Sequence, residues 1–118
     1  MRILLAEDDE MLLSLLEFRL KKEGYEVLKA SDGKKAVEMI KEEKPDLIIT
    51  DIMMPFLSGL ELVNEIKSNL GIETPIIILS SSGQEKTVME AFKLGVSDFI
   101  SKPFSPNELI IRIQRVMK

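Results

Sequence analysis

Cysteine and histidine are both absent from this chain of 118 residues. Disulfides, thiolate catalysis and cysteine-based metal sites are therefore excluded, and there is no imidazole to act as base or ligand. An excess of positive charge is missing too. The net charge is −4 and the pI about 5.0, so the field of the domain does not draw in nucleic acid or an anionic membrane surface. No apolar run approaches the roughly 18 residues that a membrane span requires, and residues 1–5 lead straight into patterned sequence. The expected location is the cytoplasm. There is no internal repeat, low-complexity segment or linker, and a chain of 118 residues suffices for one core but not for two. We expect a single domain over residues 1–118.

What is present is a regular alternation. Five short apolar stretches read as strands: RILLA (2–6), EVLKA (26–30), DLIIT (46–50), PIIIL (75–79) and DFISK (98–102). Three are nearly continuous hydrophobic runs, as parallel strands covered on both faces require. The second and fifth are more mixed and fit sheet edges. Between them lie helical patterns. EMLLSLLEFRLKKEG puts Leu12, Leu15, Leu16 and Leu20 on one face and meets Gly24 where a C-terminal cap belongs. KKAVEMIKEEKP spaces Val37 and Ile40 and stops before Pro45, while GLELVNEIKSNLG aligns Leu62 or Val63 with Ile66 and Leu70. KTVMEAFKLG offers Val88, Ala91 and Phe92 before Gly95. In the last helix Ser105, Pro106 and Glu108 make a capping-box pattern, and Leu109, Ile113, Val116 and Met117 form an inward stripe. Five strand–helix pairs joined by right-handed crossovers predict a doubly wound (βα)5 α/β fold with a five-stranded parallel sheet. The common order for such a sheet is 2-1-3-4-5, the flavodoxin-like arrangement.

In such sheets reactive groups gather outside the carboxyl ends of the strands, at the switch point between strands 1 and 3. Strand 1 ends in Glu7, Asp8 and Asp9, strand 3 in Asp51, strand 4 in Ser80 and strand 5 in Lys102. All of them fall on one edge. Converging carboxylates repel, so at least one would be driven toward protonation unless a cation compensates. With only oxygen ligands on offer, Mg²⁺ is favoured over Zn²⁺, and magnesium keeps several waters and recruits phosphate oxygens. Lys102 supplies a point charge for a phosphoryl group, and Ser80 can donate a hydrogen bond to one of its oxygens. A carboxylate in this setting suits nucleophilic attack on phosphorus, which asks mainly for positioning and charge neutralisation. Asp51 is the candidate, with Pro55 and Gly59 turning the chain away into the next helix.

These motifs resemble those of the receiver domain of bacterial two-component response regulators. ILLAEDD is similar to that family's acidic motif, DLIITDIMMPFLSG to its phosphoacceptor motif, PIIILSSSG to its hydroxyl motif and GVSDFISKPFS to its lysine motif. The four follow in order over essentially the whole chain. The resemblance implies that Asp51 accepts a phosphoryl group from the phosphohistidine of a sensor histidine kinase or a phosphotransfer protein. It implies Mg²⁺ bound by Asp8, Asp51 and the backbone carbonyl of Met53, with Glu7 acting through metal-bound water. Ser80 would be the switch hydroxyl, Phe99 the aromatic switch and Lys102 the phosphate-binding residue. The Lys102–Pro103 peptide would be cis, and Met53 and Ser82 would stand where the family tunes the lifetime of the phosphoryl group. The first helix would dock the kinase or phosphotransfer partner, a role that suits Met11, Leu13 and Phe18, which stray from its inward face.

SDFISKPFSPNELIIRI resembles the winged-helix transcription-factor branch, whose receivers pair through helix 4, strand 5 and helix 5 with matched charges. Asp98 and Arg112 fit that pattern, whereas Ser97 and Glu90 depart from it. A homodimer through this face is one expectation, and control of an output domain or target protein is the other. Three readings compete. A phosphatase of the haloacid-dehalogenase type also uses a strand-end aspartate and Mg²⁺, but it wants a second aspartate two residues on, where this chain has Met53. A flavin module of the same architecture wants a phosphate loop rich in Ser, Thr and Gly after strand 1, where this chain is acidic. Against a receiver-like domain that is never phosphorylated stands the full set of acids, hydroxyl and lysine. The expectation is a signalling module that catalyses only its own phosphorylation and dephosphorylation, and not an enzyme acting on an external metabolite.

Overall fold

The computed structural model describes residues 1–81 and 85–118, so Ser82 lies outside the described residues. Among them, five parallel strands, β1 (Arg2–Ala6), β2 (Glu26–Ala30), β3 (Leu47–Asp51), β4 (Ile76–Ser80) and β5 (Asp98–Ser101), alternate with five helices, α1 (Glu10–Lys22), α2 (Gly33–Glu43), α3 (Gly59–Asn64), α4 (Glu85–Leu94) and α5 (Pro106–Val116). The sheet order is β2-β1-β3-β4-β5, the doubly wound, flavodoxin-like order expected. β3 and β4 are buried along their whole length, whereas the mixed strands β2 and β5 lie at the two edges. Alternate strand residues face opposite layers, as the period of two in a strand requires. Leu4, Ile48, Ile76 and Ile78 pack with Ala36, Ile40, Leu62, Val63, Val88 and Ala91 of α2, α3 and α4. Ile3, Leu5, Ile49, Ile77 and Leu79 pack with α1 and α5. Among the described residues no helix is long and apolar enough to cross a membrane.

Three helix faces differ from the sequence expectation. In α1 the buried residues are Leu13, Leu16 and Leu20, while Leu15 is 53% exposed. Leu16 and Leu20 belong equally to two apolar stripes that differ by a fraction of a turn. The start of the helix accompanies the choice between them: the Asp9 side chain accepts from the N–H groups of Met11 at 3.0 Å and Leu12 at 3.2 Å, as an N-cap aspartate does. In α4, Val88 and Ala91 are buried but Phe92 is exposed; its ring meets Phe99 edge-on, with centroids 5.7 Å apart and planes at 84°, a favoured aromatic geometry. In α5 the inward stripe is Leu109, Ile110 and Ile113, with Val116 and Met117 only partly covered. The full capping box falls on α3, where Ser58 and Glu61 bond each other's backbone, and this helix runs on into a wider π-helical turn at Glu65–Asn69. At the start of α5, Ser105 accepts from the Glu108 N–H at 3.2 Å.

Candidate functional site

The register of the sheet delivers the reactive residues to one edge. Ala6 lies opposite Thr50, so Glu7 leaves β1 beside Asp51. Asp51 lies opposite Leu79 and Ser80 opposite Ser101, which sets Ser80 one step beyond Asp51 and Lys102 one step beyond Ser80. The Lys102 N–H donates to the Ser80 carbonyl at 2.5 Å, and the Lys102–Pro103 peptide is cis, as the lysine motif implies. Thr50 is fully buried and its hydroxyl donates to the Asp51 carbonyl at 3.0 Å. Asp51 itself is only 5% exposed.

Lys102 reaches across this edge. Its Nζ lies 2.8 Å from Glu7 Oε1 and 2.9 Å from Asp51 Oδ2. Glu7 is completely buried, and the Asp9 N–H donates to its other oxygen at 3.2 Å. Burial pushes the Glu7 carboxyl up from 4.5 to about 7; Lys102 opposes that rise and the neighbouring Asp51 carboxylate reinforces it. Repulsion between converging carboxylates thus adds to a rise that burial dominates. For Lys102, burial favours the neutral amine, but its hydrogen bonds to Glu7 and Asp51 outweigh it and the pKa is raised. The site therefore holds a firmly charged ammonium facing acids in excess.

Asp8 stands exposed at the rim, and one carboxylate oxygen each from Glu7, Asp8 and Asp51 lies within 4.8 Å of the others. An all-oxygen cluster with one member already resisting ionisation suits a hard cation that keeps part of its water shell. The residues thus fit Mg²⁺. Ser80, 3% exposed, borders a cavity of about 190 Å³ between β4, β5 and α4, shared with Val88, Met89, Phe92 and Phe99. Phe99 is half-buried and lines that cavity. Met53, 63% exposed, lies in the loop after β3. The structure therefore gathers Glu7, Asp8, Asp51 and Lys102 directly, with Ser80 at their side. Beside Lys102 a second hollow of about 340 Å³, lined by Asp9, Leu12, Pro103 and Phe104, opens to the outside.

Two contributors escaped the sequence reading. In the sequence Asp9 is one of an acidic run, yet it caps α1 and its N–H donates to Glu7; its place just ahead of a helix is the available signal. Gly59 has the sequence signature of a turn residue, but a Cβ there would overlap the Asp51 carbonyl oxygen and lie 2.7 Å from Ile52 Cα. At the sheet's far edge Arg112 Nη1 binds both carboxylate oxygens of Asp98 within the same chain, at 2.9 and 3.1 Å. Arg115 lies 3.5 Å from the same carboxylate.

The family profile described as the response regulator receiver domain matches residues 3–114. Among solved structures, the receiver domain of the Francisella response regulator 1452 is 36% identical, with a TM-score of 0.89 over 98% of this chain and 94% of that one. A receiver domain protein from Clostridium thermocellum is 31% identical, with a TM-score of 0.91 over 98% and 93% of the two chains. The receiver domain of NtrX from Brucella abortus is 33% identical, with a TM-score of 0.90 over 98% and 97%. In a longer NtrX structure the matched part is 26% of that chain.

Proposed function

Because this chain belongs to the response regulator receiver domain family, a signalling family and not one of enzymes in the usual sense, we propose that it is a phosphorylation-controlled switch with Asp51 as phosphoacceptor. The observation that carries this reading is the Lys102 bridge, 2.8 Å from Glu7 and 2.9 Å from Asp51 in a crevice that Asp8 completes. One carboxylate oxygen of Asp51 attacks phosphorus. The bond from phosphorus to the histidine nitrogen of the donor, or to the leaving oxygen of a small phosphodonor, breaks and its electron pair departs with the donor. Lys102 orients Asp51 and then shifts its ammonium to a phosphoryl oxygen. Asp8, Asp51 and the Met53 carbonyl would hold Mg²⁺ directly, with Glu7 acting through water. The bound ion would neutralise charge on the phosphoryl oxygens.

Ser80 donates to a phosphoryl oxygen once one is present. Its movement toward the site enlarges the cavity behind it, into which Phe99 turns, and the face formed by α4, β5 and α5 changes shape. Met89 and Ile111 are 64% and 62% exposed on that face, which supports an output domain or target protein as partner, as does the longer NtrX chain. A homodimer through the same face would have to share or break the internal Asp98–Arg112 pair, so the output partner is the reading we favour. On α1, Met11 and Phe18 are 85% and 69% exposed, which supports docking of a sensor histidine kinase or phosphotransfer protein. We read residues 1–118 as one such unit, working in the cytoplasm with its kinase. The test is incubation with Mg²⁺ and acetyl phosphate followed by intact mass. Wild type gains one phosphoryl group and Asp51→Asn gains none. Equal labelling of the two contradicts the site, and sustained multiple-turnover hydrolysis of a phosphomonoester would favour a phosphatase instead.

A further inference from the structure

The N-terminus of α2 is packed against the loop that follows Asp51. Gly33, the first residue of α2, is buried. A Cβ at Gly33 would overlap the Leu57 carbonyl oxygen and lie 2.5 Å from Leu57 Cβ, and the Gly33 N–H faces the Pro55 carbonyl oxygen at 3.5 Å. That same carbonyl accepts from the Leu57 N–H at 2.8 Å, closing a three-residue turn over Phe56 at φ 69°, the rare positive-φ kind of γ-turn. Phe56 is 83% exposed and gains no burial from this conformation. A residue with a Cβ holds such a backbone only where its surroundings impose it. The loop is also fastened at its feet: the Ile52 N–H donates to the Leu79 carbonyl at 3.1 Å, and the Gly59 N–H to the Ile52 carbonyl at 2.6 Å. Met53 lies between a fixed foot and a fixed tip.

We propose that Gly33 is a positioning residue for the metal site: by letting α2 lie directly on Leu57 it fixes the β3–α3 loop, and with it the Met53 carbonyl presented to the cation. The inference rests on the magnesium reading above. It makes α2, which supplies no ligand, a mechanical support of the site.

The test uses the intact chain with Gly33→Ala, and Lys34→Ala as an exposed neighbour on the same turn. Mg²⁺ is titrated without phosphodonor, read by amide shifts of Asp51 and the loop, and the Mg²⁺ dependence of acetyl phosphate labelling is measured separately. Gly33→Ala should raise the half-saturating Mg²⁺ concentration roughly tenfold, the low end of what loss of an outer support does to metal affinity. Labelling at saturating Mg²⁺ should be retained, and Lys34→Ala should behave as wild type. An unchanged Mg²⁺ affinity in folded Gly33→Ala overturns the inference. If Gly33→Ala does not fold, Leu57→Gly, which loosens the same contact without adding bulk, must weaken Mg²⁺ in the same way; unaltered affinity there is equally fatal. A wild type that binds no Mg²⁺ sinks the magnesium reading and this inference together, whereas equal binding by wild type and variants sinks the inference alone.

Discussion

Raising the pH from about 5.5 to about 7.5 should weaken the metal-free fold, through Glu7. The Glu7 carboxyl has its pKa lifted from 4.5 to about 7 in the folded chain, so between those values the folded state keeps a proton that the unfolded state has released. Stability falls with rising pH wherever the folded state binds more protons. The contribution is intact below the lower value and fully lost above the upper one. Moving one pKa over the whole interval corresponds to about 3 kcal/mol; between pH 5.5 and 7.5 about 2 kcal/mol of it is lost, which for a domain of this size is a fall of roughly 7 °C in Tm. Little else interferes. The chain has no histidine, Lys102 stays charged because its pKa is raised, and Glu17, lowered by its hydrogen bonds to Lys21 and Lys29, is ionised before the window opens. Mg²⁺ bound beside Glu7 favours its ionised form, so it should restore Tm strongly at the higher pH and weakly at the lower. Thermal unfolding followed by circular dichroism at both pH values, with and without Mg²⁺, makes the measurement. Glu7→Gln should flatten the profile. A wild-type Tm constant across the window, or the same slope in Glu7→Gln, refutes the reasoning.

Lys102→Met keeps the stem but strips the charge from two buried carboxylates, and should cost about 3–5 kcal/mol in urea unfolding without Mg²⁺ and slow acetyl phosphate labelling about a hundredfold; unaltered labelling would remove Lys102 from the reaction. Phe56→Gly relieves the positive φ at an exposed position and should stabilise by up to ~1 kcal/mol, the relief exceeding the added flexibility of the unfolded chain. A clear loss of stability would mean that the Phe56 side chain is held in place by contacts of its own. Arg112→Ala leaves the Asp98 carboxylate, 8% exposed, with the Phe99 N–H at 2.8 Å and the more distant Arg115 at 3.5 Å, and should cost about 1–3 kcal/mol; no change in the urea midpoint would show that the pair adds nothing to the monomer.

The strands and their order were legible because apolar runs of this length, separated by helices, leave few topologies, and the strand ends then place the acids. Boundaries moved by one residue, with β3 ending at Asp51 and β4 at Ser80, because the sheet continues into the polar residue wherever a neighbouring strand still pairs with it. The face of α1 was not legible. Leu12, Leu13, Leu15, Leu16 and Leu20 leave the period ambiguous, and the side that faces the sheet depends on how β1 leads into Asp9. Phe92 misled for a related reason: an aromatic ring at a sheet edge can find a partner in Phe99 without entering the core. The Lys102 bridge was readable as a charge near acids but not as contacts with both Glu7 and Asp51, since the reach of a lysine depends on the whole register from β1 to β5. Gly33 and Phe56 were illegible in principle. Their meaning lies in a contact between segments more than twenty residues apart, and nothing local announces it.

The most direct measurement locates the phosphoryl group itself. Wild-type protein labelled with acetyl phosphate and Mg²⁺ is reduced with borohydride, which converts an aspartyl phosphate to homoserine, and is then digested and sequenced by mass spectrometry. Homoserine at position 51 alone is the outcome this account requires. Homoserine at position 8 or 9, the reduced glutamate at position 7, or a stable phosphate on Ser80 would contradict it.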